Sequence, residues 1–375
     1  MEPIRILHEN VELNPGGIES LLMNIYRNID REKVQFDFLL HRPYEGCYEK
    51  EVLEMGGKIY KTPAFNPFKM RRFNNSIEKV LREHPEYKVI HAHSELNYWP
   101  LKIAKKVGLP TRIAHSHNAK TVVNLKYFFF LYEKIFIKKY CTDMFMCSTP
   151  AGVWTFGEKA VKSNKAVFIK NGIEVDKYRY NESIRNDVRK EFGLDNKFVI
   201  GHVGRFMQQK NHDFLLDIFK SIHDKRQDSV LVLIGDGRLM DDVKNKINEL
   251  GLTDSVIILG HRSDVNRLMQ GFDLFLLPSL WEGLPVTGIE AQSAGLPIIM
   301  SDVITKEVNV TGNIDYISLN SSAEFWADSV LNKFSTFERK DTSQQVIDSG
   351  FDIKTTAKWL EDFYLKCYFD NKDII

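Results

Sequence analysis

The sequence predicts an α/β chain of two doubly wound, Rossmann-like domains, and three observations carry that prediction. Short apolar runs alternate with amphipathic segments along the chain. The rhythm breaks in a polar, strand-poor stretch over 171–197, which holds the charged run 182–191, and then restarts. The length of 375 residues exceeds what one hydrophobic core sustains, so two domains of roughly 150 to 200 residues are expected.

In the first half, candidate strands lie at 4–7, 34–40, 89–92, 111–114, 144–148 and 166–169. The clearest helix follows Gly16 and Gly17, where Ile18, Leu21, Leu22, Ile25, Tyr26 and Ile29 recur at the spacing of one apolar face. The second half repeats the pattern with strands at 198–203, 230–234, 256–259, 274–277 and 298–300. These runs are nearly continuous in Val, Ile and Leu, the composition of parallel strands covered by helices on both faces. The domains are expected at 1–178 and 190–350, with the linker in the polar stretch.

Composition narrows the function. Lys plus Arg total 51 against 50 for Asp plus Glu, a net charge of +1, so the broad positive field of a nucleic-acid binder is absent and no nucleic-acid partner is expected. Cys47, Cys141, Cys147 and Cys367 form no CxxC pair and no secreted disulfide scaffold, which fits a reducing cytoplasm. The opening MEPIRILHEN lacks a basic segment followed by an apolar one, and no run approaches the roughly 20 apolar residues that span a bilayer. A cytoplasmic protein is expected.

Open α/β sheets bind ligands at the carboxyl ends of their strands, so the residues after each strand carry the functional information. After the strand ending at Val203, the loop Gly204-Arg205-Phe206-Met207-Gln208-Gln209-Lys210-Asn211 places two cations five residues apart. The Arg fork and the Lys point charge suit a diphosphate, although a solvated surface pair has the same spacing. The next strand ends in Gly235-Asp236-Gly237-Arg238, where missing side chains allow close backbone approach to a ligand or merely a tight turn. The GxGxxG dinucleotide fingerprint is absent. Gly260-His261-Arg262-Ser263-Asp264 follows the third strand, with Arg262 a candidate donor contact and Asp264 suited to capping the segment from Val265.

The most informative segment is Pro278-Ser279-Leu280-Trp281-Glu282-Gly283-Leu284-Pro285-Val286-Thr287-Gly288-Ile289-Glu290-Ala291. A glycine-containing loop leaves a buried strand, Pro285 suits the first turn of a helix, and the free amides there favour an anion. Glu282 precedes the helix and Glu290 lies about five residues inside it, roughly 7 Å along the axis, so the two carboxylates bracket a ligand. Carboxylates accept paired hydrogen bonds, as sugar hydroxyls and a ribose diol supply.

The E-x7-E pair Glu282 and Glu290, the Arg205 and Lys210 loop, the Gly235-Asp236-Gly237 turn and Ala294-Gly295-Leu296-Pro297 together resemble glycosyltransferase family 4. The resemblance extends to Asn14-Pro15-Gly16-Gly17-Ile18-Glu19 and to Arg112-Ile113-Ala114-His115-Ser116-His117-Asn118, covering nearly the whole chain. It implies the GT-B fold, two Rossmann-like domains facing across a cleft, with 351–375 packing back on the first. It also implies that Arg205 and Lys210 bind the donor diphosphate, Glu282 the transferred sugar and Glu290 the ribose. The backbone of Gly283, Leu284, Pro285, Val286 and Thr287 would hold sugar and phosphate, with Gly204, Gly235 and Gly237 shaping the donor site. Gly16 and Gly17 would let the first loop approach the diphosphate, and His117 would stand near the reacting centre. Alternation along a strand is expected to leave one of His115 and His117 facing the cleft, with His117 preferred. His91 and His93, at the end of another strand, pose the same choice between acceptor contact and a structural role.

The implied activity is retaining transfer from a nucleotide-sugar, UDP being the expected nucleotide, to a glycan acceptor that is lipid-linked. No metal or other cofactor is expected, because the cations and helix start can stabilise the leaving group and no carboxylate cluster resembles a magnesium site. Spacing alone leaves a covalent glycosyl intermediate open. A GT-B epimerase or phosphorylase, or a non-catalytic nucleotide-sugar-binding subunit, would reuse the same fold. The aromatic and basic residues of 120–140, with Phe65, Phe68, Lys69, Arg71, Arg72 and Phe73, suggest an anionic membrane surface as a further partner at the inner face of the plasma membrane. A core-facing helix with solvated lysines is the rival reading.

Overall fold

The computed structural model describes residues 2–14, 16–94, 98–117 and 125–370, and the side chains of all of these except 125–130. The chain forms two compact units, one of residues 1–172 with 353–375 and one of residues 173–352.

In the first unit the strands are β1 (Ile4–Asn10), β2 (Val34–Leu40), β3 (Ile59–Lys61), β4 (Val89–Ala92), β5 (Thr111–Ser116), β6 (Asp143–Met146) and β7 (Ala166–Phe168). They pair in the order β3-β2-β1-β4-β5-β6-β7, and every pairing is parallel. The second unit holds β8 (Phe198–Val203), β9 (Ser229–Ile234), β10 (Val256–Ile258), β11 (Leu274–Leu277), β12 (Ile298–Ser301) and β13 (Ile314–Ile317) in the order β10-β9-β8-β11-β12-β13, again parallel throughout. Both orders reverse direction once, between β1 and β4 and between β8 and β11, which is where doubly wound sheets bind ligands.

Continuous apolar strands are buried on both faces as the composition requires: Phe198, Val199 and Ile200 have no exposed surface, nor do Leu274, Phe275, Leu276 and Leu277. The helix Gly17–Asn28 turns Leu21, Leu22, Ile25 and Tyr26 into the core of the first unit, the stripe its spacing dictates. Against the same core packs the helix Ile353–Asp370, whose buried residues Ile353, Ala357, Leu360 and Tyr364 recur at one-face spacing. Full burial of side chains such as Ile353 and Leu360 contributes about 1.5–3 kcal/mol each, enough to hold a terminal helix in place. Among the described residues no helix is long and apolar enough to cross a membrane.

The expected linker is folded into the second unit. Residues 173–178, expected with the first domain, belong to the second unit, and the helices Val175–Tyr178 and Glu182–Glu191 occupy the polar stretch. The charged run docks because its cations have buried partners. Arg185 pairs with Asp273 and donates to the Phe272 carbonyl at 2.7 Å, while Arg189 reaches Asp273 at 3.2 Å and the Gly271 carbonyl at 3.0 Å. Two edge strands, β3 and β13, were not expected from the sequence.

Candidate active site

The loops that leave β8 and β11 meet at the reversal point of the second sheet. Leu280 N donates to the Gln209 carbonyl at 2.8 Å, and Asn211 Nδ2 donates to the Pro278 carbonyl at 3.1 Å. Asn211 itself adopts left-handed φ of 57°, a conformation Asn tolerates. Gln209 Nε2 donates to the Trp281 carbonyl at 2.9 Å and to Glu282 Oε2 at 3.0 Å, and Lys210 Nζ donates to Glu282 Oε1 at 2.7 Å. The Lys210 and Glu282 side chains are only 13% and 8% exposed. A cation and a carboxylate are thereby fixed at one point by shared hydrogen bonds. Gln209 escaped the sequence reading, although its place beside Lys210 was the available signal. Arg205, in the same loop, is exposed.

The glycines around this point serve the loops first. Gly235 has φ of 143°, and a Cβ there would stand 2.0 Å from the Gly204 carbonyl oxygen. Gly237 has φ of 156°, and its Cβ would meet the Phe206 carbonyl oxygen at 2.5 Å. The close approach that the sequence suggested for a ligand is in this structure an approach of neighbouring backbone. At Gly204 a Cβ would crowd Lys210 Cδ and Cε at 3.0 Å, so its absence gives the lysine stem its path.

The helix Val286–Ser293 starts beside Glu282. Pro285 occupies the N-cap position, one residue before the first turn where it was expected, and supplies no side-chain cap. The amides of Val286 and Thr287 belong to the helix end that has no intrahelical acceptors. Gly283 is half-buried, Leu284 is buried, and Thr287 Oγ1 is a buried hydroxyl oxygen without a partner among the described residues. Glu290 lies in the second turn. Burial lifts its carboxyl to about 7, against a hydrogen bond from Tyr178 and the charge of Lys210, both of which pull it down. Glu290 is therefore neither solvated nor isolated. Tyr178, which shares that bond, sits in the stretch expected to be linker and gave no sequence signal.

Arg262 is held by Asp264, with Nε and Nη2 donating to the two carboxylate oxygens at 2.8 and 2.9 Å, and Arg267 Nε adds a third bond at 3.0 Å. Led by the Arg262 bond, these contacts hold the Asp264 carboxyl down near 2. Asp264 occupies the N-cap of Val265–Leu268, but its side chain makes no capping bond because the two arginines occupy it. The expected capping role is corrected on that ground.

In the first unit, Gly16 is the extended N-cap of Gly17–Asn28, while Pro15, Asn118 and Lys120 lie outside the described residues. Gly17 has open space where a Cβ would go. The histidines form a connected cluster. His8 Nδ1 lies 3.1 Å from His93 Nε2, His93 Nδ1 lies 3.0 Å from His117 Nε2, and His91 Nε2 lies 3.2 Å from His115 Nδ1. His91 Nδ1 is 2.6 Å from the Tyr364 hydroxyl. Burial pushes His8 and His117 down to about 3 and His91, His93 and His115 well below the usual imidazole range, so all are neutral near pH 7. The expectation that His115 and His117 part to opposite faces is wrong. Residues two apart along a strand share a face, and the two rings sit with centroids 4.0 Å apart. Beside them, Glu9 accepts from Ser94 Oγ at 2.6 Å and bonds His41 Nε2 at 2.7 Å. Among the described residues, His8, His91 and His93, and likewise His93, His115 and His117, bring one ring nitrogen each within 4.8 Å of the others, the spacing of metal ligands. No carboxylate cluster marks the place in the sequence, and the histidines that form it are scattered on or just past three strands.

Comparison with known proteins gives this geometry a family. The model of group 1 glycosyl transferases matches residues 184–331, the region that holds both loops and the helix Val286–Ser293. EpsF of Bacillus subtilis, which is named as a glycosyltransferase, is 33% identical over 369 residues, covering 96% of each chain. An Escherichia coli enzyme named UDP-Gal:alpha-D-GlcNAc-diphosphoundecaprenol alpha-1,3-galactosyltransferase is 30% identical over 310 residues, 77% of this chain and 78% of its own. In fold, the chain is similar to Anabaena HepE in complex with UDP, with a TM-score of 0.80 at 18% identity over 96% of this chain and 100% of that one. Its two parallel Rossmann-like sheets match the GT-B fold, and the chain belongs to the group 1 glycosyl transferases.

Proposed function

We propose that this glycosyltransferase moves a sugar from a UDP-sugar, held by the second unit, to a lipid-linked glycan acceptor in the assembly of a cell-surface polysaccharide. The observation that carries the reading is the Lys210–Glu282 pair at 2.7 Å beside the uncapped start of Val286–Ser293. Arg205, Lys210 and the helix amides bind the diphosphate, Glu282 the transferred sugar, and Glu290 the ribose diol. Gly16 and Gly17 let the first loop near the diphosphate, and His117 stands at the reacting centre.

Cation charge and helix amides stabilise the leaving diphosphate as its bond to the anomeric carbon breaks. That phosphate takes the proton of the attacking acceptor hydroxyl, so attack occurs on the same face and configuration is retained. No metal takes part. UDP bound to HepE supports the nucleotide, and the name of the Escherichia coli relative supports both a UDP-sugar donor and a diphosphoundecaprenol acceptor. The test is a screen of nucleotides by thermal shift, followed by UDP-sugars with an undecaprenyl-diphosphate-linked sugar as acceptor and mass detection of the product. A larger shift with another nucleotide than with UDP, or donor epimerised without product, contradicts the reading.

A further inference from the structure

Five histidines of the first unit, four of them buried and His117 half-buried, lie on or just past three neighbouring strands and form two hydrogen-bonded strings, Tyr364–His91–His115 and His8–His93–His117. A neutral imidazole has one donor nitrogen and one acceptor, so in such a string the position of one proton fixes all the others.

The first string is set by its phenol. Burial raises Tyr364 well above the usual phenol range, so it keeps its proton, and among the described residues the hydroxyl has one hydrogen-bond partner to take that proton, His91 Nδ1 at 2.6 Å. Donation there leaves the His91 proton on Nε2, which donates to His115 Nδ1 and leaves the His115 proton on Nε2. The second string ends at His8 Nε2 and His117 Nδ1, both buried atoms without a partner among the described residues. One end carries the proton and the other a bare lone pair. The His8 ring lies 4.0 Å from the Phe36 ring in the apolar core, where an N–H has no acceptor to find, whereas His117 follows the carboxyl end of β5. A buried donor without an acceptor is rarer than an under-used acceptor, so the lone pair belongs to His8 and the proton to His117.

We infer that His93 and His8 are positioning residues that hold His117 in the Nδ1–H form, so that His117 meets its substrate as a neutral hydrogen-bond donor to an oxygen and not as a proton acceptor. The inference rests on the proposed place of His117 at the reacting centre. His115, with its ring centroid 4.0 Å away, carries a second such donor in its Nε2–H, likewise buried and without a partner among the described residues. A sugar hydroxyl and a phosphate oxygen are the acceptors this chemistry fits. The same protons oppose a metal ion, which needs three free lone pairs in one triad.

The test is long-range nitrogen–proton NMR of the full chain with ring-labelled histidine, each signal assigned by a single His→Gln change. The expected pattern is Nδ1–H on His8, His93 and His117, and Nε2–H on His91 and His115. Transfer should slow about fivefold in His93→Phe, the worth of one neutral hydrogen bond. His93→Asn, whose amide donates from the place of Nδ1, should restore it. An Nε2–H or doubly protonated His117, or stoichiometric metal by plasma mass spectrometry, overturns the inference while wild-type transfer stands. A wild-type rate in His117→Ala overturns the substrate contact itself. Absence of transfer by the wild type is instead a failure of the proposed function.

Discussion

Lys210 Nζ lies 2.7 Å from Glu282 Oε1, and this pair ties the loop after β8 to the loop after β11 at the reversal point of the second sheet. The bond is reinforced by Gln209, which holds the other carboxylate oxygen at 3.0 Å. A mobile surface lysine would spread its charge over many rotamers. This one is aimed, held with 13% of its side chain exposed.

Glu290 should make UDP binding proton-linked. Its carboxyl, raised to about 7 from 4.5, is half ionised in the free protein near neutrality, while a ribose diol donates best to the carboxylate. Binding therefore strengthens as pH rises through 7 and releases a proton at pH 6. Calorimetry in two buffers of different ionisation enthalpy measures that release, which Glu290→Gln should reduce to the part that comes from the terminal phosphate of UDP. The same shift acts oppositely on stability. The folded state holds the proton more tightly than the unfolded one, so this contribution is full below pH 4.5 and is lost as pH climbs through 7. Equal UDP affinity in wild type and Glu290→Gln at pH 6 and 8 contradicts the assignment.

Asp273→Ala should destabilise the second unit without touching the donor loops. The change removes the carboxylate that neutralises Arg185 and Arg189, leaving them backbone carbonyls alone, and removes the acceptor that holds Val199 N at 2.8 Å. Breaking such a buried arrangement costs about 3–5 kcal/mol. Urea unfolding followed by circular dichroism reads it, and a loss below about 1 kcal/mol shows that the docked helix is held otherwise.

EDTA should leave sugar transfer unchanged, since in the proposed site the charges that would meet the diphosphate are side chains and helix amides. Activity abolished by the chelator and restored by magnesium overturns that account.

Anionic vesicles should retain the protein through Phe68, Lys69, Arg71 and Arg72. All four are exposed, Phe68 at 92%. The helix Leu125–Tyr140 is less available than its sequence suggests: Lys134 rests 3.9 Å from the Trp154 ring, Lys138 donates to the Phe156 carbonyl at 3.2 Å, and Ile137 is core. Co-sedimentation should need anionic lipid, weaken with salt and fall when Lys69, Arg71 and Arg72 become Ser. Equal recovery on neutral and anionic vesicles contradicts membrane docking.

The sequence made the central strands legible because burial on both faces leaves nothing but apolar residues, as in 198–203 and 274–277. Two of the four edge strands, β3 and β13, were illegible for the same reason reversed, whereas the edges β7 and β10 kept apolar runs. Ile59–Lys61 and Ile314–Ile317 each have a single neighbour and an exposed position, and their polar members break the run. The helix Glu182–Glu191 looked like linker because charge normally faces water, and nothing local says that Asp273 waits for Arg185 and Arg189. At the site, Arg205, Lys210, Glu282 and Glu290 stood out by spacing on loops that follow strands. The histidine strings did not, because they join residues 8, 91, 93, 115 and 117 through the alignment of β1, β4 and β5, with Tyr364 arriving from the far end of the chain.

The most direct test of the account is single-turnover transfer from a UDP-sugar by wild type, Arg205→Ala and Lys210→Ala, with folding checked by circular dichroism. Losing a charge-assisted contact to the departing diphosphate removes roughly 2 to 4 kcal/mol of transition-state stabilisation, which is roughly a 30- to 900-fold fall in rate. Falls of that size in two folded variants are the predicted result, and near-normal rates in both would contradict a donor diphosphate held by the second unit.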